Sequence, residues 1–204
     1  MLKKFFIGDD KMSKIVTTND DKHALKNHNK ELNKLTIDCI IQSLILLMKQ
    51  YPYEKINITQ ICRKAGVSRN AFYSNFKTKE DIFKRFIIEF NRHVLITLGN
   101  PFKAGTTEIW YEKLFFMLQE NYSTLNILIK NNFQIFYLNY INQILLNSNF
   151  LDKTEKYLRM MWNGAIQNCI VIWISTGMKE KPNQMAHICF SYVKELFKDK
   201  RKSN

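Results

Sequence analysis

The stretch ITQICRKAGVSRNAFYSNFKTKEDIF, residues 58–83, decides how this chain is read. Ile58, Ile61, Cys62 and Ala65 keep the i, i+3, i+4, i+7 spacing of one buried helical stripe. Asn57 just before it, with Gln60 three residues on, has the form of a capping box. Gly66 ends that helix, since a left-handed C-terminal cap costs glycine no Cβ clash. Ser68 is placed to cap a second short helix from Arg69 to about Asn75, with Phe72 and Phe76 on one face and Arg69, Asn70, Tyr73 and Ser74 on the other. Thr78 followed by Asp81 opens a third helix, whose Ile82, Phe83, Phe86, Ile87 and Phe90 face inward to about Leu98.

A short helix, a tight turn and a second short helix with a polar outer face make a helix-turn-helix. The second helix of such a unit can enter the DNA major groove with its first residues at the base edges. Arg69 can donate a bidentate pair to guanine, Asn70 can do so to adenine, and the Ala71 methyl can touch thymine. Tyr73, Thr59 and Lys79 are better suited to phosphates, as are the helix starts at Asn57, Ser68 and Thr78, whose first N–H groups favour anions. Spacing and charge leave two readings open at this point, a DNA-reading head and an ordinary helical hairpin.

The charge favours an anionic partner. The 204-residue chain has a formal net charge of +13. Residues 53–84 carry seven Lys/Arg against three Asp/Glu, and the tail from Lys194 to Asn204 five against two, the latter reading as a solubilising face. Six Gly and three Pro over the whole length fit long helices with short connections, not a sheet protein full of turns. Cys39, Cys62, Cys169 and Cys189 have no CxxC and no His at ligand spacing, and read as small buried residues of a reducing compartment. The opening residues MLKKFFIGDDKMSK lack the apolar run of a secretory signal, so a cytoplasmic location is expected; either Met1 or Met12 can serve as the start.

Residues 1–30 read as a flexible arm rich in Lys, Asn and Asp. A helix is expected from about Glu31 to Tyr51-Pro52, burying Leu35, Cys39, Ser43 and Leu47 with Leu32, Ile40, Leu44 and Met48 beside them. Beyond GNPFKAG the composition shifts, and helices are expected near 106–120, 123–130, 131–148, 152–176 and from Pro182 to about Lys198. The uncharged run 161–178 is long enough to be weighed as a membrane span, but Asn163, Gly164, Gln167 and Asn168 interrupt it and favour a packed helix. The fold class is therefore all-α. A three-helix head over 31–98 precedes a larger C-terminal domain over 104–200.

The order Ile61-Cys62, Ala65-Gly66-Val67-Ser68, Phe72-Tyr73, Phe76, Lys79-Glu80 resembles the DNA-binding signature of the TetR family of bacterial transcriptional regulators, over about residues 33–90. Cys62 stands where alanine is usual, and Ser74-Asn75 where larger basic or aromatic residues are common. Residues 157–190 and the lead Tyr51–Ile56 are similar to a subgroup found in low-GC Gram-positive bacteria, with Lys181 in place of a capping serine. That subgroup includes regulators of sugar-related operons that work with a protein co-regulator, as well as ordinary repressors.

The resemblance implies a homodimer on palindromic double-stranded DNA, joined through the last two long helices. The apolar AIQNCIVIWI points independently to such a contact. It also implies an effector cavity in the C-terminal domain, for which Trp110, Tyr111, Phe115, Met117, Phe136, Tyr140, Met160, Met161 and Trp162 are the candidate linings. With no charge in 131–150 or 161–178, a ligand there would be apolar or met by Asn, Gln, Tyr and Trp. The reading is of a repressor released by its effector, or alternatively of a co-regulator or activator answering to a protein partner. No cofactor, metal or membrane partner is expected. No acid–base pair, nucleophile triad or phosphate loop is present, which argues against an enzyme.

Overall fold

The computed structural model describes residues 20–102 and 107–196, and every regular element among them is helical. The Met1/Met12 question, residues 1–19 of the expected arm and the basic end of the tail lie outside the described residues. The elements are α1 (Asp20–Leu47), a 3₁₀ turn (Tyr53–Lys55), α2 (Ile58–Ala65), α3 (Arg69–Tyr73), α4 (Lys79–Leu98), α5 (Glu108–Glu120), α6 (Tyr122–Lys130), α7 (Phe133–Leu146), α8 (Lys153–Ser175) and α9 (Pro182–Leu196).

Helix α1 corrects two expectations. It begins at Asp20, within the segment read as an arm, because a solvated helix needs no apolar stripe: residues 26–35 are exposed throughout. Its buried face keeps Ser43, Leu47, Ile40, Leu44 and Met48 of the expected set but not the residues toward its start. Ile37, Ile40, Ile41, Leu44, Ile45 and Met48 are buried, whereas Leu32 and Leu35 are 48% and 59% exposed and Cys39 lies at the surface.

The chain divides into two units, which meet in sequence between His93 and Val94. In the first, α1 packs on α2 and α2 on α3. Its core joins the α1 face to Ile56, Ile61, Cys62, Phe72, Phe76, Ile82, Phe83, Phe86 and Ile87. Burying each large side chain of this set contributes about 1.5–3 kcal/mol over leaving it in water. The division falls inside α4, before the expected boundary after Leu98. The end of that helix is tied to α5, since the Trp110 indole N–H donates to the Gly99 carbonyl at 3.1 Å.

In the second unit α5 packs most extensively on α9, and α8 lies against α6, α7 and α9. Trp110, Tyr111, Leu114, Phe115 and Leu118 form one buried face of α5. They meet Met185, Ala186 and Cys189 of α9 and Ile166, Trp173 and Ile174 of α8 as the buried set. Where serine was absent at the start of α9, Gln184 supplies the cap: its side-chain oxygen accepts from the Lys181 N–H at 2.8 Å. Among the described residues no helix is long and apolar enough to cross a membrane.

Candidate nucleic-acid interface

Local hydrogen bonds start and stop each helix around residues 57–81. The Asn57 side chain accepts from the Gln60 N–H and the Gln60 side chain from the Asn57 N–H, both at 2.9 Å, completing the capping box. Gly66 closes α2 at φ 67°, in the left-handed region. The Ser68 hydroxyl oxygen then accepts from the Ala71 N–H at 3.0 Å and opens α3.

Helix α3 is five residues long, and its inner side is held by Phe72, 0% exposed, and Phe76, 4% exposed. The two rings lie 5.8 Å apart, and Tyr73 meets Phe72 edge-on at 5.4 Å. On the outer side Arg69, Asn70 and Tyr73 are exposed and Ala71 is half-buried. The Arg69 guanidinium lies 5.9 Å from the centre of the Tyr73 ring, which leans it along the helix without neutralising it. Thr59 is exposed at the start of α2.

Two expected phosphate positions are used within the protein. The Lys79 ammonium turns inward, donating to the carbonyls of Tyr53 at 2.9 Å and Ile56 at 2.6 Å and lying 4.4 Å from the centre of the Tyr53 ring. The end of the 3₁₀ turn presents these carbonyls to α4, and a cation meets them. The start of α4 is likewise occupied. The Asp81 carboxylate accepts from the N–H groups of Lys77 and Thr78 at 3.1 and 3.0 Å, so these donors face a fixed anion.

Next to the Lys79 strut, the Tyr53 hydroxyl donates to Glu80 at 2.8 Å and its ring packs on Phe83 at 4.8 Å. Burial, then the hydrogen bond to Glu80, keeps the Tyr53 phenol protonated well above its ordinary range. Partial burial pushes the Glu80 carboxyl up, but backbone and Tyr53 hydrogen bonds outweigh this and hold it below its usual value. A hydrogen bond from Lys84, at 3.0 Å, is the main cause of the lowered Asp81 pKa. The role of Tyr53 was missed in the sequence because its partners lie 26 and 27 positions away.

The candidate effector residues fall into separate groups. Trp110, Tyr111 and Trp162 come together: the Trp162 indole donates to the Tyr111 hydroxyl at 3.1 Å, and the two indoles lie 6.1 Å apart. Phe115 packs edge-on against Trp173 at 5.1 Å. Phe136 and Tyr140 stack along α7 at 6.3 Å. Met117 and Met160 are half-buried, while Met161 is 54% exposed, a surface position and not a lining.

Residues 40–86 match the sequence model of a family described as bacterial regulatory proteins, tetR family. The Transposon Tn10 TetC protein of Escherichia coli is 35% identical over 57 residues, which are 28% of this chain and 29% of that protein. The chain thus spans less than a third of that curated relative's length. Among solved structures, the dihydroxyacetone kinase operon activator DhaS is similar with a TM-score of 0.49 and 19% identity, over 80% of this chain and 96% of that one. The capped helix pair of residues 57–73, with its apolar inner and polar outer face, lies within the stretch that this family model matches.

Proposed function

We propose that the chain is a sequence-specific DNA-binding transcriptional regulator that acts as a homodimer on a palindromic site. The observation that carries this reading is the division of α3 into an inner side, where Phe72 is buried beside Phe76 of the following turn, and an outer face offering Arg69 and Asn70 to solvent. Arg69, Asn70 and Ala71 read base edges, and each good bidentate pair discriminates by about 1–3 kcal/mol. Thr59 and Tyr73 contact phosphates, while Asn57 and Ser68 position the helices whose first turns face the backbone. Lys79 supports this surface from behind.

Pairing of two chains uses α8 and α9. Tyr157, Met161 and Ile172 recur along one side of α8 at 54%, 54% and 63% exposure, and Ile188 and Tyr192 stand four apart on α9. A twin copy would bury this stripe, and two heads roughly add their binding free energies over two half-sites. The C-terminal domain answers to an effector near Trp110, Tyr111 and Trp162. An effector releases DNA only to the extent that it prefers a dimer geometry unsuited to the site. Repression is the reading adopted, with activation through a protein partner as the alternative; the exposed apolar positions Ile135, Ile144 and Leu146 on α7 favour the latter as a second docking face.

Selection of bound fragments from a random DNA pool by the purified chain tests the reading. A palindromic consensus and a steep loss of affinity with salt are expected. Recovery of no consensus, or binding indifferent to salt, would refute it.

A further inference from the structure

The first unit carries a basic cleft that base reading does not use. On α1, Lys30, Lys34 and Asp38 follow one another at four-residue spacing and so share one face. On α4, Arg85, Glu89 and Arg92 do the same at spacings of four and three. The two rows line a cavity of about 260 Å³ between the helices. Four cations thus meet two carboxylates around a space below the roughly 300 Å³ at which sites for drug-sized ligands begin, so an occupant is compact.

Glu89 organises the arginines. Its Oε2 accepts from Arg92 Nε and Nη2 at 3.0 and 2.7 Å, and its Oε1 meets Arg85 Nη2 at 3.1 Å. One carboxylate therefore fixes two guanidinium groups beside each other and leaves both with N–H groups to spare. The Arg85 Nε is buried and has no hydrogen-bond partner among the described residues. A buried donor without an acceptor is costly, and this one belongs to a residue in the cavity wall. Lys30 and Lys34 are exposed along the α1 side, and Asp38 below them is half-buried. Burial raises the Asp38 pKa against the opposing pull of Lys34 and Arg85, so the floor of the cleft is partly withdrawn from water and charges there act strongly on one another.

We propose that this cleft binds a compact phosphate-bearing small molecule, which ties α1 to α4. The surplus of positive charge is met by one phosphate group, which carries about −1.5 to −2 at pH 7, whereas a carboxylate offsets only part of it. The forked N–H groups of the paired arginines suit phosphate oxygens, and the two lysines approach the same group from α1 as point charges. The DNA backbone offers the same chemistry. However, Arg85 and Arg92 stand roughly 9 and 20 Å along α4 from Lys79, away from the helix start that follows the base-reading turn. The cleft therefore suits a free phosphate compound, and its chemistry does not depend on the chain being a DNA reader.

The test titrates the full chain with sodium pyrophosphate by calorimetry, in phosphate-free buffer at constant ionic strength. Saturable binding of one pyrophosphate per chain is expected. Lys30→Gln and Lys34→Gln, at exposed positions where the fold tolerates change, should each weaken it at least about fivefold, and Arg85→Gln at least about tenfold. Asp38→Asn removes a repelling carboxylate and should tighten it at least about threefold. Lys64→Gln, the same loss of charge at an exposed position on α2 outside the cleft, should leave it within about twofold. A short DNA duplex of unrelated sequence should not displace the bound pyrophosphate. Absence of saturable binding, equal losses in Lys34→Gln and Lys64→Gln, or displacement by the duplex, which would assign the phosphate to DNA, would overturn the proposal.

Discussion

Replacing Lys79 by methionine separates an internal strut from a phosphate contact. The substitution keeps the stem and removes the ammonium that meets the carbonyls of Tyr53 at 2.9 Å and Ile56 at 2.6 Å. The Tyr53 carbonyl retains a second donor, the Ile56 N–H at 3.1 Å, whereas the contact to the Ile56 carbonyl is lost. Leaving one such acceptor unmet costs about 1–3 kcal/mol, and the low half applies here because the site is only partly buried. Loss of the cation over the Tyr53 ring, at 4.4 Å, adds about 0.5–1 kcal/mol. The expected loss is about 2 kcal/mol of head stability, read by urea unfolding followed by circular dichroism at unchanged m-value. A freely exposed lysine on a phosphate would behave otherwise. Its removal would leave stability within about 0.5 kcal/mol and flatten the salt dependence of DNA binding by nearly one unit of slope. A K79M chain that unfolds like the parent while its salt slope falls would refute the strut.

Arg69→Ala should relax selectivity at one base position in each half-site by about 1–3 kcal/mol, measured by repeating the DNA selection, with the unfolding midpoint unchanged. Phe72→Ala, at a fully buried site, should cost about 3–5 kcal/mol in chemical unfolding and abolish DNA binding for every sequence alike. Asn57→Ala removes the acceptor of the capping box and should cost about 1 kcal/mol, without altering which bases are preferred. Acid titration should separate two carboxyls. Asp81, held low chiefly by Lys84, contributes stability that is full above its unfolded pKa of about 3.9 and is lost as the pH falls through its lower folded value. Asp38, raised by burial, has the opposite sign: its contribution is present below the unfolded value and is lost as the pH rises through the folded one. Unfolding between pH 2 and 6 should therefore show less acid destabilisation in Asp81→Asn and more in Asp38→Asn.

What was legible in the sequence depended on how far apart the partners lie. Asn57 with Gln60, Ser68 with Ala71, and Thr78 with Asp81 each close within three residues, so the helix starts were readable from spacing alone. Gly66 was readable because a left-handed cap has one residue type that suits it best. Helix α1 was harder. Two rows on one helix can carry apolar residues, and periodicity does not say which of them meets a partner; Ile37 and Ile41 did, and Leu35 did not. Contacts that return across the chain left no signal. Lys79 finds Ile56 across 23 positions and Trp162 finds Tyr111 across 51. The same applies to the cysteines: read as buried fillers, they prove to be one exposed residue, one half-buried and two buried.

The brevity of α3 has a consequence for how such a chain can diversify. Five residues are too few to sustain a helix in water, so the segment exists only because Ser68 starts it and Phe72 and Phe76 anchor it. Its outward side chains add little to that anchoring. On the proposed reading, substitutions at Arg69 and Asn70 can therefore sample new DNA sequences one at a time, each intermediate remaining folded. Lineages carrying this head can acquire a different target site without first acquiring surplus stability.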